Sequence, residues 1–179
     1  MSRIPPIQAE EAQKEVRSIY QVFQKKLGKI PNIFLHMGHS KAVLQAYNSL
    51  ADAANQTVLS PALREQIALV VSQANECQYC LSAHSAIGKG AGLSDQEIME
   101  ARHGQAKEAK TQAILKFAKL LSDNKGHVSD QDVQQLKKAG VSDQEMIEVI
   151  LIVVQTIFTN YFNHVTDPQI DFPQAPHLK

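Results

Sequence analysis

The strongest constraint on the fold of this chain is the number of places where its sequence begins or ends a helix. Ser60 followed by Pro61 gives a favoured N-cap with proline at the first helical position, where a missing N–H is tolerated. The segment Gly-Leu-Ser-Asp-Gln-Glu at residues 92–97 recurs at residues 140–145 with valine in place of leucine. Each copy is typical of a helix end followed by a Ser-x-x-Glu capping box. No segment alternates apolar and polar residues as a half-buried strand does, so we predict an all-α fold.

Apolar residues at helical spacing predict where the individual helices lie. We predict helices at residues 9–27, 33–37, 40–55, 60–74, 77–90, 106–122, 129–139 and 143–164, with a further helix beginning at the capping box of residues 94–97. The last helix is apolar nearly all round between residues 146 and 158, so we expect it in the core or in a subunit interface. We expect one domain over residues 1–179. The recurring segment suggests two related helical hairpins at 60–105 and 106–164, but one good cap used twice would explain it equally well.

Composition and charge exclude several classes of function. The chain has 179 residues, 44% of them hydrophobic, which is enough for one sizeable core. Its 18 Lys and Arg residues balance 18 Asp and Glu residues and are scattered, so we expect no nucleic-acid partner. No charged and then apolar leader follows Met1, and the most apolar run, at residues 149–154, is too short to cross a bilayer. We therefore expect a cytoplasmic protein without a membrane partner.

Both cysteines of the chain, Cys77 and Cys80, lie in one short segment, and His84 follows four residues after the second. In a helix, Cα atoms three residues apart are separated by about 5 Å, which is within the range of a disulfide. Cys80 and His84 then share a face, and helical side chains lean toward the N-terminus, so the imidazole is directed at Cys80 rather than at Cys77. In a cytosolic protein, a pair with this spacing is typical of redox or metal chemistry.

Spacing alone does not settle which cysteine is the nucleophile. Only the thiolate attacks peroxides or disulfides, and a helix N-terminus, a CxxC context and a nearby imidazolium each lower the thiol pKa below its usual value of about 8.5. The helix end favours Cys77, whereas His84 favours Cys80. We take Cys80 as the attacking thiolate and Cys77 as the resolving thiol.

Glu65 is a charged residue in an otherwise apolar stretch of the helix that precedes the cysteines. A carboxylate in such a position needs a partner. Pairing with His84 would fix the tautomer of the imidazole and raise its basicity. The alternative is an exposed helix residue that pairs with Arg64 or a nearby lysine. With the cysteines, the candidate site has the pattern Glu-x11-Cys-x2-Cys-x3-His.

This pattern resembles the alkylhydroperoxidase D branch of the carboxymuconolactone decarboxylase superfamily. Residues 29–34 (Lys-Ile-Pro-Asn-Ile-Phe) and 160–164 (Asn-Tyr-Phe-Asn-His) are similar to the peroxidase-related members of that branch. The resemblance implies an all-helical fold that assembles into homotrimers or hexamers. It also implies cytoplasmic peroxidase or disulfide-reductase chemistry, for which we expect no cofactor.

The resemblance further implies roles for the four residues. A hydroperoxide would oxidise Cys80 to a sulfenic acid, Cys77 would condense with it to a disulfide, and Glu65 with His84 would relay the proton. An external dithiol, of the lipoyl or thioredoxin type, would then reduce the disulfide. The chain departs from the pattern at Tyr79, where the best-studied peroxidases of the branch have an assisting histidine. Because the pKa of tyrosine is about 10, Tyr79 cannot replace a neutral base. This weakens the case for vigorous peroxidase activity but not for thiol–disulfide exchange.

Three other interpretations use the same residues differently. Two thiolates, an imidazole and a carboxylate could hold zinc, but the four ligands would have to converge from positions up to a turn apart, and there is no second CxxC. A non-enzymatic interaction or regulatory module is supported by the apolar last helix and by the missing auxiliary base. Lactone decarboxylation, a third activity of the superfamily, does not use a redox CxxC.

We assign no catalytic role to four further polar residues. His36 and His39 have no acidic or cysteine partner at helical spacing, so we expect them to be surface or packing residues. Asn160 and His164 share a helix face. They could reach a neighbouring subunit, but we expect a structural pair.

Overall fold

The computed structural model describes residues 2–178, and within these residues all regular structure is helical. The prediction of an all-α fold is confirmed. In chain order the helices are α1 (Lys14–Leu27), α2 (Asn32–Met37), α3 (Lys41–Asn55), α4 (Pro61–Ala74), α5 (Gln78–Gly90), α6 (Asp95–Arg102), α7 (Ala109–Asp123), α8 (Asp130–Lys138) and α9 (Asp143–Thr166).

The helix boundaries agree with the sequence except at a few ends. The first helix begins at Lys14 rather than at residue 9, because the backbone N–H groups of Glu11 and Ala12 both donate to the carbonyl oxygen of Gln8 and form a turn instead. The helix α9 continues to Thr166, two residues beyond the predicted end. The two predicted capping boxes at residues 94–97 and 142–145 are both formed.

A third capping box joins Ser129 to Asp132. It was not predicted, because aspartate stands there in place of the glutamate of the usual pattern. In all three boxes the serine oxygen accepts a backbone N–H of the first turn and the acidic side chain accepts the serine N–H. The boxes therefore satisfy donors that the start of a helix leaves without an intrahelical partner.

The helix α4 is the centre of the larger of two apolar cores. It packs against α5, α6, α7 and α9. Ile67, Leu69 and Val70 of α4 are fully buried, in one cluster with Leu115 of α7 and Val149 of α9. Burial of such a side chain contributes about 1.5–3 kcal/mol relative to leaving it exposed. Packing on several sides therefore fixes α4 in position and in rotation. The two-hairpin repeat at 60–105 and 106–164 stays a prediction.

The smaller core joins the first three helices to the start of α5. The rings of Phe23 and Phe34 stack there with their centroids 3.9 Å apart. Cys77, Tyr79 and Cys80 belong to the same cluster. The cysteine segment is therefore enclosed by the N-terminal helices rather than displayed at the surface.

The helix α9 has one buried and one exposed side, although both are apolar. Met146, Val149 and Val153 face the core, whereas Ile147 and Val154 are 68% and 53% exposed. By length and composition alone, α9 would be able to cross a membrane, and no other helix in the described residues would. The apolar run at residues 149–154 thus lies within the predicted apolar helix, whose one side is buried in the core as expected.

The two histidines beside α2 occupy the kinds of position expected for them. His36 is buried, and this burial lowers its pKa. His39 is exposed, and its Nε2 lies 2.7 Å from the carbonyl oxygen of Pro5. Both are therefore packing or surface residues of the N-terminal region.

Candidate active site

Cys77 and Cys80 form a disulfide at the start of α5. Their Cα atoms are 5.3 Å apart, close to the separation of about 5 Å expected from helix geometry. Cys77 is the N-cap of α5 rather than its first residue, and its sulfur accepts a hydrogen bond from the backbone N–H of Cys80 at 3.3 Å. The two residues are 2% and 3% exposed. The pair is thus buried at the positive end of a helix dipole.

The carboxylate of Glu65 on α4 pairs with the imidazole of His84 on α5. The Oε2 atom of Glu65 lies 2.8 Å from Nδ1 of His84, and the side chains are 17% and 22% exposed. Arg64, the alternative partner, donates instead to the carbonyl oxygen of Leu59 at 2.7 Å and to Oδ1 of Asn55 at 3.1 Å. Because Nδ1 of His84 is occupied, Nε2 is the ring nitrogen left for proton transfer.

A cavity of about 420 Å³ lies beside the imidazole and one of the two cysteines. Cys80 and His84 both line this cavity, whereas Cys77 does not. Most of the remaining wall is apolar and aromatic, formed by Phe23, Leu27, Phe34, Tyr47, Ile87 and Phe172. A molecule in the cavity would therefore meet Cys80 first.

Tyr79 lies in the cavity wall with its hydroxyl fully engaged. It donates to Oδ1 of Asp171 at 2.7 Å and accepts the backbone N–H of Ile33 at 3.2 Å. Burial raises the pKa of Tyr79, and burial raises the pKa of Tyr47, in the same cavity, to about 12. Neither phenol is a base at neutral pH, in agreement with the expectation that Tyr79 does not replace a histidine.

The segment after α9 covers the start of α5, which the sequence did not indicate beyond an extended, proline-rich composition. The carboxylate of Asp171 accepts the Tyr79 hydroxyl, lies 2.9 Å from Nζ of Lys29, and accepts the backbone N–H of Asn32 at 3.3 Å. Phe172 packs edge-on against Tyr79, with ring centroids 5.8 Å apart. The segment therefore supplies part of the cavity wall and fixes Tyr79.

A second set of contacts continues the attachment of this segment. The backbone N–H of Ala175 donates to Oγ of Ser82 at 3.0 Å, and its carbonyl oxygen accepts from Nε2 of Gln78 at 2.6 Å. Arg102 donates to the carbonyl oxygen of Pro176 at 2.8 Å. The first turns of α5 are thus bound to a segment that lies far away in the sequence.

Asn163 on α9 is a site residue that the sequence analysis did not identify. Its Nδ2 lies 3.2 Å from the sulfur of Cys80 and 3.9 Å from that of Cys77. The residue is 5% exposed and lines the cavity. It belongs to the 160–164 segment that carried part of the resemblance, but the spacing gave no reason to place it beside sulfur.

Asn160 and His164 have partners within their own chain. Asn160 is fully buried, donates to Oγ of Ser72 at 3.2 Å and accepts from Nδ2 of Asn75 at 3.0 Å. Nε2 of His164 lies 2.7 Å from the carbonyl oxygen of Asn75. Both residues fix the loop before the cysteines, so the expected structural role is the one observed.

The four predicted site residues form two pairs, one of sulfurs and one of an acid with an imidazole. Across the described residues, no group of three or more His, Cys, Asp or Glu side chains converges as a metal site would require. The arrangement is a disulfide next to an acid–imidazole pair, and the catalytic roles of the four residues stay a prediction. Its chemistry would be thiolate attack at Cys80 with proton transfer through His84.

Residues 41–123, which include α3 to α7, match the carboxymuconolactone decarboxylase family. No curated protein sequence matches the chain. The matched region contains Glu65, both cysteines and His84. The resemblance found in the sequence is thus confirmed on the part of the chain that carries the candidate site.

Solved structures share the whole fold. A peroxidase-related protein from Silicibacter sp. TM1040 has a TM-score of 0.83 at 22% identity, covering 95% of this chain and 92% of that chain. A protein from Ralstonia eutropha JMP134, described as an alkylhydroperoxidase AhpD core, has a TM-score of 0.85 at 24% identity with the same coverage. At these identities the likeness shows the fold, and the predicted alkylhydroperoxidase D-like fold is confirmed.

A third similar structure has a different described activity. It is a cysteine-to-alanine variant of a debrominase, Bmp8, in complex with 2,3,4-tribromopyrrole, with a TM-score of 0.81 at 24% identity. The match covers 96% of this chain and 92% of that one. The fold therefore occurs with more than one described activity.

We predict that Asp171→Ala loosens the segment after α9 and exposes the disulfide. Tyr79 and the backbone of Asn32 would lose an acceptor, a loss that costs about 1–3 kcal/mol for a buried group. Hydrogen exchange of residues 168–178 should become faster, and a phosphine should reduce the disulfide severalfold faster. The matched control is Gln174→Ala, an exposed position in the same segment. Unchanged exchange and reduction in Asp171→Ala would mean that the contacts of Ala175 hold the segment alone.

Proposed function

We propose that this chain, an alkylhydroperoxidase D-like member of the carboxymuconolactone decarboxylase superfamily, is a thiol-dependent peroxide reductase or disulfide oxidoreductase. Cys77 and Cys80 would be the redox pair, and Glu65 with His84 the proton relay. The observation that carries the proposal is one cavity lined by both Cys80 and His84, with His84 bound to Glu65 at 2.8 Å.

In the first step the thiolate of Cys80 attacks the terminal oxygen of a hydroperoxide. The sulfur–oxygen bond forms as the oxygen–oxygen bond breaks, which gives a sulfenic acid on Cys80 and an alkoxide. The alkoxide takes a proton from His84 and leaves as an alcohol. Glu65 holds the imidazole in position and stabilises the imidazolium before this transfer, as the third group does for other activated nucleophiles.

In the second step the thiol of Cys77 loses its proton and attacks the sulfur of Cys80. The sulfur–sulfur bond forms, the sulfur–oxygen bond breaks, and the oxygen leaves as water after taking a proton. The disulfide at the start of α5 is the product of this step. The pair has then given two electrons to the peroxide, and an external dithiol of the lipoyl or thioredoxin type returns them by thiol–disulfide exchange.

The cavity wall supports a substrate with an apolar body. Aromatic and aliphatic side chains form most of its surface, and Asn163 and His84 are among the polar groups that line it with Cys80. Burying an apolar body there would be favourable, whereas hydrogen peroxide would gain nothing from such walls. We therefore propose an organic hydroperoxide as the substrate, with an exchangeable disulfide as the other possibility.

A second candidate is reductive dehalogenation of an aromatic ring. It is favoured by the aromatic cavity wall beside Cys80 and by the debrominase of the same fold that was solved with a brominated pyrrole. In that reaction a carbon–bromine bond breaks, a carbon–hydrogen bond forms and bromide leaves. The two thiols become a disulfide and release two protons, one to carbon and one to solution.

The exposed side of α9 supports a homo-oligomer, a trimer or a hexamer. Six large apolar or aromatic side chains follow one another along this helix at exposed positions: Ile147, Ile150, Val154, Phe158, Tyr161 and Val165. A contiguous apolar surface of this kind is typical of a protein interface. We place the assembled protein in the cytoplasm.

The assigned cysteine roles predict different outcomes for the two serine variants. The reduced protein is mixed with cumene hydroperoxide in a stopped-flow instrument, and thiol loss is followed. Cys80→Ser should consume no thiol, whereas Cys77→Ser should accumulate a sulfenic acid that dimedone traps. Serine at the N-cap still accepts the backbone N–H of residue 80 and so preserves the start of α5.

Two results would overturn these assignments. A sulfenic acid on Cys77 in the Cys80→Ser variant would reverse the roles. If the wild type reacts with no organic hydroperoxide but releases bromide from a tribromopyrrole, the second candidate replaces the first.

We predict that His84→Ala slows the oxidation of Cys80 about 100-fold or more, the usual contribution of a positioned acid or base. Glu65→Gln keeps the shape of the side chain but cannot stabilise an imidazolium, so it should also slow the reaction. Added imidazole should restore part of the rate in His84→Ala and none in Glu65→Gln. The control is Glu15→Gln, an exposed position on α1. Equal rates in all four proteins would exclude the relay.

We predict that Val154→Glu dissociates the oligomer, because a carboxylate would be buried without a partner in an apolar interface. The molar mass is measured by light scattering after gel filtration. Val128→Glu, at an exposed valine outside α9, is the matched control and should keep the wild-type mass. A monomeric wild type would contradict the proposed assembly.

A further inference from the structure

Asn163 lies beside the disulfide with only one half of its side-chain amide satisfied. Its Nδ2 points at the sulfurs, 3.2 Å from Cys80 and 3.9 Å from Cys77. Its Oδ1 is buried, and nothing in the described part of the chain donates to it. Asn160, one turn earlier on the same helix, has partners for both its oxygen and its nitrogen. The incomplete pairing is thus specific to the asparagine that contacts sulfur.

In the oxidised protein, the amide of Asn163 lacks good hydrogen-bond partners for both its nitrogen and its oxygen. A disulfide sulfur is a weak, neutral acceptor for Nδ2 and has no hydrogen to give to Oδ1. A buried acceptor without a donor costs free energy, and native proteins rarely retain one without a reason. Reduction changes both sulfurs in the required way, since a thiolate is a strong acceptor and a thiol is a donor.

We propose that Asn163 is a catalytic residue that holds the negative charge on Cys80 and favours the reduced form of the pair. In the reduced protein, Nδ2 donates to the thiolate of Cys80 and Oδ1 accepts the S–H of Cys77. The proposal rests on the proposed function only in taking Cys80 as the attacking thiol. It requires no reactant beyond the external dithiol already named.

This role of Asn163 would decide which of the two cysteines carries the negative charge. Cys77 is the N-cap of α5, and its sulfur already accepts the backbone N–H of Cys80. The helix end alone would therefore make Cys77 the thiolate. Asn163 opposes that preference through two hydrogen bonds. Its Nδ2 stabilises the charge on Cys80, and its Oδ1 binds the proton on Cys77. The charge is thereby placed on the sulfur residue that lines the cavity.

No other ionisable group needs to change when Asn163 is replaced. The cavity is also lined by Lys29, Tyr47, Asp52, Tyr79 and His84. Glu65 is bound to His84, and Asp171 is bound to Tyr79. All of these residues stay in place in the variants below, so a changed cysteine reactivity reports on the amide itself.

The first test is alkylation of the fully reduced protein by iodoacetamide, with the modified cysteine identified by mass spectrometry across a range of pH. Wild type should be alkylated first at Cys80. In Asn163→Leu, which keeps the branched shape without polar atoms, the apparent pKa of Cys80 should rise by about one unit, the scale of one hydrogen bond to a charged group. Alkylation should then shift toward Cys77. Thr166→Val, at a buried polar position of α9 outside the cavity, is the control for loss of a buried polar group and should keep the wild-type order.

The second test is the redox equilibrium of the pair with dithiothreitol. Replacing Asn163 removes the orphaned acceptor of the oxidised state and the two hydrogen bonds of the reduced state. The equilibrium should therefore move about tenfold toward the disulfide, which corresponds to a reduction potential about 30 mV lower. Asn163→Ala should shift it in the same direction, so the result does not depend on how leucine packs.

These measurements are independent of peroxide turnover. If wild type reduces no hydroperoxide but the alkylation order and the equilibrium shift as stated, the proposed peroxide-reductase activity fails and the role of Asn163 stands. If alkylation order and equilibrium are unchanged in both Asn163 variants, or if the equilibrium moves toward the dithiol, the inference is wrong even when peroxide is reduced.

Discussion

The packing of α4 against α5 is the constraint on which the candidate site depends. A partly buried glutamate beside an apolar core is unfavourable unless a partner satisfies it, and α4 is fixed in rotation because it packs on α5, α6, α7 and α9. This rotation points Glu65 at His84, and the pair then occupies a place where solvent access is small. The helix α5 itself sets the distance between the imidazole of His84 and the cysteines at its start. The cost of a partly buried carboxylate is thus offset by a hydrogen bond that also orients the imidazole of His84.

Burial of the sulfurs depends on other parts of the chain than burial of the Glu65–His84 pair. The N-terminal helices enclose the cysteine turn from one side, and the segment after α9 closes it from the other through Asp171 and Ala175. A protein dithiol that reduces this pair has to reach sulfurs that are nearly inaccessible, through the cavity that Cys80 lines or by displacing the covering segment. Since Phe172 is part of both the segment and the cavity wall, movement of the segment would change access for substrate and for reductant together.

Most of the fold could be predicted from local signals, and most of the errors lie where distant residues decide. Ser60 and Pro61 fixed the start of α4 because an N-cap and the proline after it act within one turn. The start of α1 was misplaced because a turn competes with the helix there, and apolar spacing does not distinguish the two. For the site, Glu65 and His84 were found through their spacing to the cysteines. Asn163 and Asp171 were not found, because each reaches the cysteine turn from more than eighty residues away, and no local pattern encodes such a contact.

The two ends of the cysteine motif are therefore under different control. The helix dipole and the N-cap act on Cys77 through the local backbone, which any CxxC at a helix start provides. Asn163 and the cavity wall reach Cys80 through the tertiary structure, and His84 lies one turn after Cys80 on the same helix. A fold that kept α5 but shifted α9 would preserve the cysteine pair and lose the contact between Asn163 and Cys80. For this reason the CxxC can be found in the local sequence, whereas the side chains around the second sulfur are set by the surrounding helices. Similar folds have different described activities, as the debrominase does, so the fold alone does not determine the reaction.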